Sequence, residues 1–405
     1  ADLDAMVLRD RNRPSVILWS IGNEIRERAD PPGVEIAKKL AAEVKRLDST
    51  RPVTAAICHF WEFPNRPWPE STPAFASLDV GGYNYEWREY EPDHAKFPER
   101  VMAGTESFPI EAFENWRMVE KHPYVIGDFV WTAIDYLGES GIGHTSLSGD
   151  PPEQLKDYPW FNAWCGDIDL IGEKKPQSYY RDVVWGVSQL EMAVHRPLPA
   201  GRTDQISKWG WPDETRSWTW PGAEGKPLRV RVFTSGDEVR LSLNGKEIGR
   251  KPASADTKLT AEFDVPYAPG ELRAQAFAAG KPIASMALQT AGAPARLRLR
   301  ADRSALTASR AELSYVIVEV VDERGVVVPD AVAPVLFKVS GSGELAAVGN
   351  ASPNEMASYR KPKRNTFQGK CLAVLRPTRV SGAITLRAES PSLAAAELTV
   401  ELKAK

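Results

Sequence analysis

Glu24 and Glu106 each close an apolar run, the first ending the stretch VILWSIGNE and the second ending VMAGTE. If both runs are strands of one sheet, their tips converge and two carboxylates face one another. One such group can donate a proton while the other attacks, or activates water, which is the division of roles that cleaves a glycosidic bond. A pair of surface glutamates in two loops is the plainer account of the same residues. The elements that carry them decide between the two accounts.

Up to about residue 195, strand-like and helix-like segments alternate. SVILWSIGNE is followed by a helical pattern in which Ile36, Leu40, Val44 and Leu47 recur at spacings of four, four and three. RPVTAAICHF, LDVGGYNY and RVMAGTE read as strands, EAFENWRMVEKH as a helix, YVIGDFVWTAID as a strand, and QSYYRDVVWGVSQL as a closing amphipathic helix. Strands apolar on both faces and separated by helices predict a parallel sheet covered on both sides. The order fits part of a (β/α)8 TIM barrel, with five staves found and three missing. Polar residues gather where such barrels carry their sites, at the C-terminal strand ends: Asn23, Glu24, Tyr83 to Tyr85, Glu106, Trp131 and Asp135.

After Pro197 the pattern changes to short alternating strands: LRVRVFT, EVRLSLNG, KEIGRKP, LTAEFDV and ELRAQAFA. The Asn244-Gly245 pair predicts a two-residue hairpin turn. The expected organisation is therefore residues 1–195 as the C-terminal part of the barrel, 196–291 as a β-sandwich, and 292–405 as an immunoglobulin-like β-sandwich. Neither sandwich shows a charged cluster of site-like pattern, so packing and spacing are their expected roles.

Composition narrows the partners. A formal charge of −3 over 405 residues leaves no basic footprint for nucleic acid. No apolar run reaches the roughly 18 residues that would suggest a membrane-spanning helix. Cys58, Cys165 and Cys371 are odd in number and lack Cys-x-x-Cys spacing, which argues against a zinc site or a disulfide framework. No cofactor and no metal are expected. Of the 13 tryptophans all lie before residue 221, the half where rings could stack on sugar faces, although most are expected to be core. The chain opens without an initiator Met, a signal peptide or a cap before its first strand, so either a processed or partial chain or an unusual starting place for the fold is expected. The compartment stays open between periplasm, exterior and cytoplasm.

The same segments carry a resemblance. NRPSVILWSIGNE resembles the acid/base signature of glycoside hydrolase family 2, which includes β-galactosidases, β-glucuronidases and β-mannosidases. LDVGGYNYEWREYEPDHAKFPERVMAGTES resembles the family's path from the sixth barrel strand to the nucleophile strand, and YVIGDFVWTAIDYLGE resembles its eighth strand. WFNAWCGDIDLIGEKKPQSYYRDVVW, SWTWPGAEGKPLRVRVFTSGDEVRLSLNGKEIG and NTFQGKCLAVLRP extend the likeness nearly to the C-terminus. The resemblance implies Glu24 as general acid/base and Glu106 as nucleophile. It implies Asn23 as the residue bonding the sugar 2-hydroxyl, and Tyr85, with Tyr83 as competitor, as the holder of the nucleophile. Trp131 would floor the sugar subsite, and Asp135 and Glu139 would meet sugar hydroxyls or serve the structure. A retaining reaction implies carboxyls about 5 to 5.5 Å apart, one ionised, the other kept protonated by its negative neighbour.

The expected substrate is a β-linked oligosaccharide or glycoside, most closely a β-galactoside. The one Asn-x-Lys triplet, the pattern that glucuronidases of the family use on a uronate, is Asn244-Gly245-Lys246, where turn formation explains it. β-Glucuronidase and β-mannosidase remain alternatives. Because the first three staves and their sugar contacts are not in this sequence, a different class of reading also stands. The chain is then a non-catalytic fragment, or one subunit completed by a separate N-terminal half; a homo-oligomer is the other partner left open.

Overall fold

The computed structural model describes residues 2–150 and 155–404, and it divides into two compact units, Ala1–Ala133 and Ile134–Lys405. The first unit is built on five strands: β1 (Trp19–Asn23), β2 (Val53–Ile57), β3 (Val80–Asn84), β4 (Val101–Ser107) and β5 (Val125–Val130). They lie in sequence order and pair parallel throughout. Every residue of β2 and β3 is buried, as the two-sided apolar reading predicts.

Four helices accompany these strands: α1 (Asp2–Asp10), α2 (Pro31–Leu47), α3 (Tyr90–Lys96) and α4 (Ala112–Lys121). Proline in the first turn of α2 costs no hydrogen bond, and its buried Ala41 and Val44 pack with Val7, Trp19 and Val53. The helix closes on Asp48, whose buried carboxylate accepts from Trp19 Nε1 at 3.0 Å, the Thr50 amide at 2.9 Å and Arg51 at 2.6 Å. The Thr50 hydroxyl, which also donates to Asp48, and then Trp19 do most to hold its carboxyl far below the usual range. A second cluster, with Trp68, Phe75, Tyr83, Tyr90 and Met102, fills the space around β3 and β4. Two helices, α1 and α3, escape the sequence reading. Both are short, at nine and seven residues, and fall below the window of roughly 11 residues over which a helical period can be read.

β1 and β5 form the two edges of this sheet. Ile17 just before β1, and Ile126 and Phe129 on β5, are 72%, 56% and 54% exposed, so the apolar faces at both edges are uncovered. Five strands leave an eight-stranded barrel open.

In the second unit α5 (Pro176–Val184) ends earlier than the predicted closing helix. Gly186, at φ +72°, reverses the chain, and the Val187 amide returns to the Asp182 carbonyl at 2.7 Å. Leu190–His195 then forms a strand that pairs antiparallel with Pro227–Thr234, so it belongs to the sandwich sheet rather than to a helix. That sheet has four strands and faces another of four, with Val194, Trp218, Val230, Leu241, Phe263 and Leu272 between them. The Asn244-Gly245 turn has both φ angles positive, +51° and +79°, as a type I′ hairpin requires.

Beyond residue 295 nine strands share one hydrogen-bonded sheet that folds over a core containing Val316, Val318, Phe337, Leu375, Ile384 and Val400. Its longest strand, Leu393–Lys403, pairs parallel with Arg296–Ala301 and antiparallel with Gly382–Ser390, and so joins the two faces. Glu173 reaches this module through Arg300, at 2.7 Å, and through Lys370. Among the described residues no helix is long and apolar enough to cross a membrane.

Candidate active site

Glu24 follows the last residue of β1, and its amide still donates to the Ala56 carbonyl at 2.9 Å. Its φ of +48° is a conformation that a residue with a side chain rarely adopts without compensation. Arg28, 4% exposed, supplies part of it by donating to the carbonyls of Ile25, Cys58 and His59, which fastens the turn after Glu24 to the tip of β2. Cys58, fully buried, lies against Glu24. Burial, the Glu24 charge and a hydrogen bond to it push the thiol up to about 12, so the sulfur keeps its proton.

Glu106, 8% exposed, sits near the end of β4. Its Oε2 accepts the Tyr85 hydroxyl at 2.6 Å, and its carbonyl accepts the Tyr85 amide at 2.7 Å. The Tyr85 ring stacks on Phe108 with centroids 4.2 Å apart, which fixes the hydroxyl's direction. Tyr83, the competing tyrosine, is fully buried and bonds Asp93 and Arg100 at 3.0 Å each. Geometry therefore places Tyr85, and not Tyr83, on Glu106.

Asn84, which lies in the polar group Tyr83 to Tyr85 but receives no role of its own from the sequence, joins the two halves of the site. It is fully buried, and its Nδ2 donates to Glu24 Oε1 and to Asn23 Oδ1, both at 3.0 Å. Its Oδ1 accepts from the Thr105 hydroxyl at 2.7 Å, one residue before Glu106. In a regular strand Asn84 and Tyr85 would face opposite ways. Tyr85 has φ +63°, which breaks the alternation at the strand tip, and both side chains reach the carboxylates. Close strand approach is needed beneath them, and a Cβ on Gly82 would overlap the Ala55 carbonyl. A polar residue ending the otherwise apolar run DVGGYNY was the signal available for Asn84.

Trp131 follows β5, is half-buried, and donates its amide to the Ser107 carbonyl at 2.9 Å, next to Glu106 in sequence. Asn23 is exposed at the tip of β1. Asp135 and Glu139 belong to the second unit. The Asp135 side chain is 1% exposed, 3.0 Å from Lys175 Nζ, and accepts the Gly166 amide at 2.8 Å. Burial pushes its carboxyl up, with Lys175 opposing. Of the two roles expected for Asp135, the buried ion pair with Lys175 and the Gly166 bond are the structural one. Glu139 is exposed and accepts the Tyr136 hydroxyl.

One further carboxyl follows Tyr85. Burial, reinforced by the charge of Glu89, pushes Glu86 up to about 7, and its Oε1 lies 4.0 Å from His59 Nδ1. A carboxyl that holds its proton more tightly when folded contributes full stability below its unfolded value near 4.5, and loses it as pH rises through about 7. Glu86→Gln is therefore expected to flatten a decline of about 3 kcal/mol between pH 4.5 and 8, read from denaturant midpoints across that range. An unchanged slope would remove Glu86 as its source.

Residues 2–140 match the model of the glycosyl hydrolases family 2 TIM barrel domain, and 297–399 that of the glycoside hydrolase family 2 C-terminal domain 5. Residues 225–284 match a domain of unknown function, DUF4982. The β-galactosidase BoGH2A of Bacteroides ovatus is 30% identical over 98% of this chain and 51% of its own length. A putative β-glucuronidase of Formosa agariphila is 24% identical over 93% of this chain and 37% of its own. A solved glycosyl hydrolase family 2 member from Bacteroides cellulosilyticus superposes with a TM-score of 0.89 at 38% identity, over 99% of this chain and 51% of that one. The chain thus spans about half the length of such relatives. With a partial TIM barrel ahead of C-terminal β-sandwich modules, it belongs to glycoside hydrolase family 2.

Proposed function

We propose that the protein of which this chain is a part is a retaining exo-β-glycosidase acting on terminal non-reducing β-glycosides, and specifically a β-galactosidase. The observation that carries the proposal is that Glu24 and Glu106 are bonded to consecutive residues at the tip of one strand, Asn84 and Tyr85. In the proposed reaction Glu106 attacks the anomeric carbon as its bond to the aglycone oxygen breaks, and Glu24 gives that oxygen its proton. Water then attacks the glycosyl ester, loses a proton to Glu24, and frees Glu106. Asn23 bonds the sugar 2-hydroxyl and Trp131 floors the subsite in this reading.

The galactoside assignment draws on the FVWTAIDYLGE segment and on Asn244. The Asn244 amide donates to the Pro269 carbonyl at 3.0 Å and accepts the Glu271 amide at 2.9 Å, a turn role that leaves no uronate reader in this triplet. The uncovered edges of the five-stranded sheet favour a second statement: three strands from outside this chain, on the same polypeptide or another, complete the barrel. A panel of aryl β-galactoside, β-glucuronide and β-mannoside, given to this chain alone and to a protein that also carries the remaining strands, tests both. Turnover of the galactoside by the completed protein only is the expected result. Preference for another sugar would replace the specificity, and full activity of the isolated chain would remove the need for further strands.

A further inference from the structure

The network around Asn84 goes one step beyond the two glutamates, and rests on their reading as acid/base and nucleophile. Asn84 is a side-chain amide with no solvent exposure and three side-chain partners, Glu24, Asn23 and Thr105. Its orientation follows from charge. Turned the other way, its carbonyl oxygen would face the Asn23 oxygen, which has no proton, and the Glu24 carboxylate whenever that group is ionised. With Nδ2 toward Glu24, the Thr105 hydroxyl can donate only to Oδ1, at 2.7 Å.

Two consequences run along this chain of donors. Glu24 Oε1 is held by Asn84, which fixes the direction in which the carboxyl presents its proton to a leaving group. Asn23 Oδ1 is likewise engaged, so Asn23 presents its two N–H groups outward as donors. We infer that Asn84 is a positioning residue for the proton transfer: it holds the Glu24 carboxyl in its acting orientation, with its own amide turned by the Thr105 hydroxyl. Thr105 in turn adjoins Glu106, so one side-chain relay links the acid/base to the nucleophile strand.

A residue acting through Glu24 should hurt only the step that needs a proton. In the completed protein, Asn84→Ala is expected to lower kcat/KM about 10- to 100-fold on an unactivated phenyl glycoside and no more than about threefold on a dinitrophenyl glycoside. Thr105→Val, which keeps shape and removes only the hydroxyl, should show the same pattern with a smaller loss. Glu24→Ala is the reference. If it shows the leaving-group dependence while both relay variants lose activity equally on the two substrates, or not at all, the positioning role is overturned and the acid/base reading stands. If Glu24→Ala itself lacks that dependence, the acid/base reading fails and takes the relay with it.

Discussion

Glu106→Gln in the completed protein is expected to lower kcat by about 10⁴-fold or more on every glycoside tested, whatever the leaving group. The change is nearly isosteric. The Tyr85 hydroxyl, 2.6 Å from Oε2, can still donate to an amide oxygen, and the stack on Phe108 is untouched. What is lost is the negative charge that attacks the anomeric carbon. A small anion such as azide does not fit in place of a retained amide, but in Glu106→Ala it can enter the vacated space and attack from the same face. The product then has the inverted configuration, readable by NMR. Near-wild-type turnover by Glu106→Gln would sink the nucleophile assignment.

Glu24→Ala is expected to separate substrates rather than to silence the enzyme. Poor leaving groups need protonation and should lose about 10²- to 10⁴-fold, while activated aryl glycosides should form the glycosyl-enzyme at close to the original rate. Hydrolysis of that intermediate then lacks its base, so an initial burst is followed by slow turnover. Azide can replace water without needing a base, and here its product keeps the configuration of the substrate, opposite to the Glu106→Ala case. Equal losses across all leaving groups would contradict the acid role. The paired stereochemical outcomes make the two assignments separable.

Much of this site was legible because barrel strands announce themselves. VTAAI and VGGYN are buried at every position, and such runs between helices have few alternatives to a covered parallel sheet. The Asn-Gly turn was legible for an equally local reason, since few other residue pairs tolerate two positive φ angles. The misses are long-range. Nothing near Asp135 in sequence reveals Lys175, 40 residues on, as its ion-pair partner. No local pattern marks Arg28, whose partners are carbonyls just past the next strand, about 30 residues away. Asn84 carried a readable clue, a polar residue in an apolar run, but its partners lie on two other strands. The helix predicted over QSYYRDVVWGVSQL overran because its apolar spacing continues past Gly186, and the glycine's positive φ outweighs it.

Asn84 and Tyr85 are consecutive, and each holds a different carboxylate. A thermal displacement of the β3 tip therefore carries Glu24 and Glu106 in the same direction. Their separation should fluctuate less than the position of either one, much as two hands on one bar move together. For a reaction whose stereochemical course depends on that separation, correlated motion is a form of precision that tolerates a mobile surrounding. Solvent-facing helices and loops around the sheet can then vary and breathe without detuning the pair.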